Sequence, residues 1–94
     1  MVAEFTAHAT KWKMETALSS SLTKAAMHNS YQRIIGLGPE VIPLVLRDLK
    51  ETGDAWFWAL HALTGEDPVP AAHRGDFEKM TGDWLAWGLK HGHL

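Results

Sequence analysis

Apolar residues fall at helical spacing through most of the chain. Phe5, Ala9, Trp12 and Thr16 line one side of the first segment, with Val2 extending the stripe. Glu4, Lys11, Lys13 and Glu15 lie mostly elsewhere around the turn, so the spacing predicts a helix over about Ala3 to Leu18. Ser19-Ser20-Ser21 then interrupts, and its serines suit the N-terminus of a short helix from Leu22 to His28. His28-Asn29-Ser30 reads as a second break, with Ser30 as the cap of the next helix. Tyr31, Ile34 and Ile35 form that helix's stripe, which Gly36 and Gly38 end.

Pro39 suits the first turn of a further helix, where its missing N–H costs nothing. Pro43 is tolerable if regular helix begins near Glu40 or Val41. Val41, Ile42, Val45, Leu46 and Leu49 then share one face, while Arg47, Asp48, Lys50 and Glu51 take the other. Glu51-Thr52-Gly53-Asp54 reads as a tight turn, with Gly53 for the left-handed cap and Asp54 as N-cap. A helix from Ala55 to Leu63 comes next. Gly65 is its expected cap, and Pro68 and Pro70 exclude more helix. The last helix starts with Asp76 as N-cap and carries Phe77, Met80, Trp84 and Trp87 as its stripe. No window alternates with period two over a sustained length, so no sheet is expected. The pattern as a whole predicts an all-α, single small domain spanning 1–94, built of four or five short helices. Trp12, Tyr31, Ile35, Val45, Leu49, Trp56, Leu60, Trp84 and Trp87 are its expected core.

The run Trp56-Phe57-Trp58 is the least ordinary part of this pattern. At about 100° per residue, Leu60, Leu63, Phe57 and Ala59 gather within roughly 100° of Trp56, and Trp58 falls on the opposite side with His61 and Ala62. Two explanations stand. The helix is central and covered on both sides, by the first helix or by the last. Or Trp58 belongs to an exposed apolar patch made for a partner, where one indole buries a large area with few rotors to freeze.

The segment from Ile34 to Gly65 resembles a HEAT-type antiparallel helical hairpin. An apolar helix is followed by Gly-Pro, a helix rich in Leu and Val, a turn containing Asp, and a helix closing on Leu-Thr-Gly. That resemblance covers about a third of the chain and implies a protein-interaction scaffold; no tandem copy is present, so no extended solenoid is expected. The whole chain also resembles a small family of bacterial helical proteins for which no activity is established. The shared marks are Lys11-Trp12-Lys13, Thr16, Ser20-Ser21, Tyr31 to Gly36, Trp56 to Leu60, Thr64-Gly65, Asp67 to Pro70, Arg74-Gly75-Asp76, Trp84-Leu85 and Trp87. Asn29 stands where that family has proline. This second resemblance implies fold and a bacterial setting, without chemistry.

Composition narrows the functions. The chain has 94 residues, 46% of them hydrophobic, with five tryptophans; large core residues compensate for the modest burial of a small domain. Its net charge of -2 with His neutral implies no broad basic surface. The absence of cysteine removes disulfides, thiolate metal sites and a thiol nucleophile, and suits a reducing cytoplasm. The N-terminus has no basic region followed by an apolar one, so no secretory signal is expected. The longest uncharged apolar stretch is too short to cross a bilayer.

Candidate chemistry is sparse. None of the six histidines pairs with another at i, i+4, so no metal site is expected; His91 and His93 read as a solvated, frayed terminus. Glu66 and Asp67 with His73 could do acid–base work only in a pocket. The simpler reading is an acidic turn, with Arg74 paired to Asp67 or Asp76. Ser19 to Ser21 lack a nucleophile elbow, and "GLGPE" has proline where a phosphate loop needs amides. No cofactor is implied. Lys11, Trp12, Lys13, Lys24 and Arg33 could form a single-strand-binding strip, although lysines snorkelling around a core tryptophan explain the same residues. The leading expectation is a non-enzymatic module that binds another protein as an adaptor, an inhibitor or an antitoxin-like factor. Trp58, His61, Asp67 and Arg74 are its contact residues. A nucleic-acid accessory role is the alternative.

Overall fold

The computed structural model describes all residues, 1–94. Six α-helices succeed one another with no strand: α1 (Val2–Thr16), α2 (Leu22–Ala26), α3 (Asn29–Gly36), α4 (Ile42–Thr52), α5 (Phe57–Thr64) and α6 (Phe77–Lys90). Short 3-10 turns at Pro39–Val41 and Ala71–His73 precede α4 and α6. The all-α reading therefore holds, with five helices of eight or more residues and α2 as a single short turn of five. No helix is long and apolar enough to cross a membrane.

The helix ends show how local chemistry sets the boundaries. Ser21 accepts from the Lys24 amide and starts α2. Gly53 and Gly65 take left-handed backbone (φ 71° and 70°) and end α4 and α5, a conformation that costs glycine nothing. Asp76 caps α6 by accepting from the Lys79 amide. Two expected caps are corrected. His28, not Ser30, caps α3, its Nδ1 accepting from the Ser30 amide at 3.0 Å, and Ser30 is buried inside the first turn. Asp54 does not cap α5, whose N-cap is Trp56 with no side-chain hydrogen bond. The Asp54 carboxylate lies 3.2 Å from Lys13 Nζ instead.

The core is one cluster of buried side chains centred on Trp56. Its indole meets Trp12 at 4.5 Å, Tyr31 at 5.4 Å in a stack, and Phe5 at 5.7 Å between ring centroids. These rings come from α1, α3 and the residue before α5, so the aromatic cluster is what joins the N-terminal half to the middle of the chain. Trp56 Nε1 donates to Asp48 Oδ2 at 2.7 Å, and Trp12 Nε1 donates to the Ala25 carbonyl at 2.9 Å; buried indoles need such partners. Asp48 also accepts from Lys13 at 2.8 Å. Lys13 is partly desolvated, which lowers its pKa, but its hydrogen bonds to Asp48 and Asp54 and the attraction of both carboxylates outweigh that and raise it above the usual lysine range.

α1 and α3 pack mainly on each other, α3 also meets α5, and α4 packs mainly on α6. The second half of the core therefore runs from Val45, Leu46 and Leu49 to Trp84 and Trp87. α4 finds its principal neighbour in α6 rather than in its chain neighbours. Ile35 is half-buried at the core margin, and Ile34 takes the fully buried place. Nor is the C-terminus frayed. His91 and His93 stack on the Trp87 indole, at 4.3 and 5.4 Å, and the His93 amide donates to the Gly88 carbonyl at 2.8 Å.

Candidate functional site

The helical wheel places Trp58 away from the core, and in the structure Trp58 is 51% exposed beside a fully buried Trp56. The wheel needs one amendment. α5 begins at Phe57, so Trp56 is buried from a non-helical position (φ -91°, ψ 4°). Because regular helix starts after Trp56, Ala59 and Leu60 turn inward and Trp58 and His61 turn out.

Trp58 stands on an open groove of about 460 Å³. α2 forms one wall through Leu22, Thr23 and Ala26; Phe57, Trp58 and His61 of α5 form a second; Phe77, Met80 and Trp84 of α6 form a third. The rim is apolar as well as the floor: Leu22 is 50% exposed and Phe77 42%. Phe57 and Phe77 meet edge to face at 5.4 Å, which fixes the opening between α5 and α6. At the bottom, the Tyr31 hydroxyl accepts from the Ala59 amide at 2.9 Å and donates to the Ala55 carbonyl at 3.2 Å. Burial, opposed by the Ala59 N–H, pushes its pKa well above the usual tyrosine value.

The loop after α5 supplies the polar edge. Val69 is buried and anchors it, its amide donating to Asp67 Oδ1 at 3.2 Å. Gly75, at φ 86°, lets the chain reverse into Asp76 and α6. Arg74 follows the 3-10 turn Ala71–His73, and its guanidinium donates to Asp67 Oδ2. The hydrogen bond from Arg74 first, and the Val69 amide second, hold the Asp67 carboxyl below the usual carboxylate range. His61 donates from Nδ1 to the Glu66 carbonyl at 2.9 Å, because a carbonyl can only accept. Trp58, His61, Asp67 and Arg74, which lie apart in sequence, thus line one groove.

The other candidates are placed differently. Glu66, Asp67 and His73 do not gather. Glu66 Oε2 accepts from Trp87 Nε1 at 3.3 Å, Asp67 is held by Arg74, and His73 Nδ1 lies 2.7 Å from Asp83 Oδ2. In the basic strip, Trp12 is buried and its face is covered by Tyr31 and Trp56, while Lys13 is engaged by two aspartates. Lys11, Lys24 and Arg33 remain exposed. No group of three or more His, Asp or Glu side chains is arranged to hold a metal ion.

Sequence reasoning missed Leu22, Phe57 and Phe77 as parts of the site. They belong to three different elements, and only tertiary packing brings them to one opening. The signal that was present, apolar residues at helix starts where a core stripe has little to pack on, is shared by many structural positions. Comparison with protein-family models, with curated proteins and with solved structures gives no match.

Proposed function

We propose that this chain is a non-enzymatic protein-binding module that works in a reducing, bacterial-type cytoplasm as an adaptor, inhibitor or antitoxin-like factor. Its working surface is the groove between α2, α5 and the start of α6. One observation carries the reading: a tryptophan left half in water on an open apolar groove, in a domain that buries its other four tryptophans, the least covered of them, Trp87, to 8% exposure. Keeping an indole exposed forfeits burial that a small domain needs, and contact with a partner restores it. Tryptophan is also enriched among residues that dominate binding energy. The polar edge of His61, Asp67 and Arg74 supplies the few oriented groups that give such a surface its register.

The test is affinity capture with the wild-type chain and with Trp58→Ala, each with and without nuclease. The reading expects a protein retained in stoichiometric amount by wild type, insensitive to nuclease and lost with Trp58→Ala, while circular dichroism shows the variant folded. Recovery of nuclease-sensitive material alone would replace it with a nucleic-acid role for Lys11, Lys24 and Arg33.

A further inference from the structure

His28 stands where three elements meet: the end of α2, the start of α3 and the side of α1. Both of its ring nitrogens are in use. Nδ1 accepts from the Ser30 amide at 3.0 Å and so caps α3. Nε2 lies 2.8 Å from Glu15 Oε1 on α1. The partners fix where the proton is. An amide N–H can only donate, so Nδ1 must offer its lone pair; an ionised carboxylate can only accept, so Nε2 must carry the hydrogen. One species satisfies both, the neutral ring protonated at Nε2. The usual capping side chains, Ser, Thr and Asn, accept at any pH near neutrality. An imidazole caps only while its Nδ1 is bare.

We infer that His28 is a pH-sensitive clasp, which ties α1 to the start of α3 while neutral and releases α3 when Nδ1 takes a proton from solvent. The imidazolium then presents an N–H to the Ser30 N–H, and two donors cannot bond. Ser30 is buried, at 2% exposure, so its amide is left without an acceptor in a place water does not reach, which is the costly way to lose a hydrogen bond. Glu15 acts in the opposite sense, since its carboxylate attracts the charged ring. Its side chain is 50% exposed, and an ion pair so open to solvent contributes little, so the loss at Ser30 outweighs the gain. The ring therefore stays on α1 and lets go of α3. No other charge competes for it. Lys24 is the only charged residue of α2 and Arg33 of α3, and both are exposed. On α1, Lys13 is engaged by Asp48 and Asp54 and Lys11 is exposed. α2 carries Leu22, Thr23 and Ala26 of the groove wall, so the joint that His28 closes also sets where that wall stands.

The experiment is NMR of the nitrogen-labelled full chain from about pH 8 down to about pH 5, the range in which imidazoles change charge. Long-range nitrogen–proton correlation is expected to show the neutral His28 ring bare at Nδ1 and protonated at Nε2. Amide hydrogen exchange, corrected for the intrinsic effect of pH, is expected to show Ser30 protection falling by at least about fivefold, the loss of one cap. That fall should follow the titration of His28 read from its own ring signals, while the amides of α4 keep their protection. His28→Asn caps without a titrating group, so in that variant Ser30 protection should stay flat over the same range.

A neutral ring protonated at Nδ1 overturns the inference, as does Ser30 protection that holds or rises through the His28 titration, or an equal fall in His28→Asn. Rising protection would mean that the pair with Glu15 governs the joint. If circular dichroism shows His28→Asn unfolded, His28→Ser supplies the cap in its place, and the wild-type tautomer and Ser30 protection decide the matter by themselves.

Discussion

Replacing either tryptophan of the Trp56-Phe57-Trp58 run by alanine gives the sharpest test of how the two rings divide structure from recognition. Trp56 is fully buried, packs on three other aromatic rings and donates to Asp48. Trp56→Ala leaves a cavity that α1, α3 and α5 cannot all collapse into, at a cost of about 3–5 kcal/mol. Trp58 is 51% exposed, so about half of an indole's roughly 200 Å² is withdrawn from water. At about 25 cal/mol per Å² that is an upper bound near 2.5 kcal/mol. A compact unfolded chain already hides part of this area, and the alanine methyl keeps some contact, which leaves about 1–2 kcal/mol. Domains of this kind are stable by about 5–15 kcal/mol in total, so Trp56→Ala removes a large share and Trp58→Ala a minor one. Urea unfolding followed by far-UV circular dichroism, at protein concentrations low enough to suppress association, measures both. Equal losses for the two variants would refute the division and return Trp58 to the core.

The geometry sets three further outcomes. Tyr31 is the chain's single tyrosine and its pKa is raised by burial. Its contribution to stability is therefore complete below the ordinary tyrosine value near 10 and is lost as pH rises through the folded one; absorbance at alkaline pH should show no phenolate forming near pH 10 until the protein unfolds. Asp67 is shifted the other way by Arg74 and the Val69 amide. Its contribution is present above the ordinary Asp range and lost as pH falls through the lower folded value, and carboxyl NMR titration of Arg74→Ala should find the Asp67 pKa moved back up. The two glycines inside α6 should respond oppositely to alanine. Gly82 has open space where a Cβ would go, so Gly82→Ala stabilises by up to about 1 kcal/mol. At Gly88 a Cβ would come within 2.8 Å of Leu46 Cδ1, and Leu46 is itself fully buried. Gly88→Ala is expected to destabilise by about 1–3 kcal/mol, with thermal melts deciding both.

The parts of the fold legible in the sequence are those governed by neighbours within a turn or two. The stripe of Ile42, Val45, Leu46 and Leu49 fixes the buried face of α4, Gly53 and Gly65 mark two helix ends, and Asp76 marks a start. Periodicity alone turns Trp58 outward. The illegible parts depend on distance. Asp54 satisfies the local rules for a cap, yet Lys13, far earlier in the chain, draws it away. Asp48 lies on the polar side of its helix, and only the fold reveals that it receives Lys13 and Trp56. His73 finds Asp83 rather than the nearer Glu66 or Asp67. Candidate site residues Trp58, His61, Asp67 and Arg74 can be named singly, but their convergence with Leu22 and Phe77 on one groove depends on how α2, α5 and α6 meet.

The central claim is that a protein surface docks on the groove. The most direct measurement is site-specific photocrosslinking in the native cell, with a photoreactive phenylalanine analogue placed at Phe77 on the groove rim and, separately, at Arg47 on the exposed face of α4. A discrete crosslinked protein adduct, to another chain or to a second copy of this one, is predicted from position 77 and none from position 47. Equal crosslinking from both positions, or none from position 77, would contradict the claim.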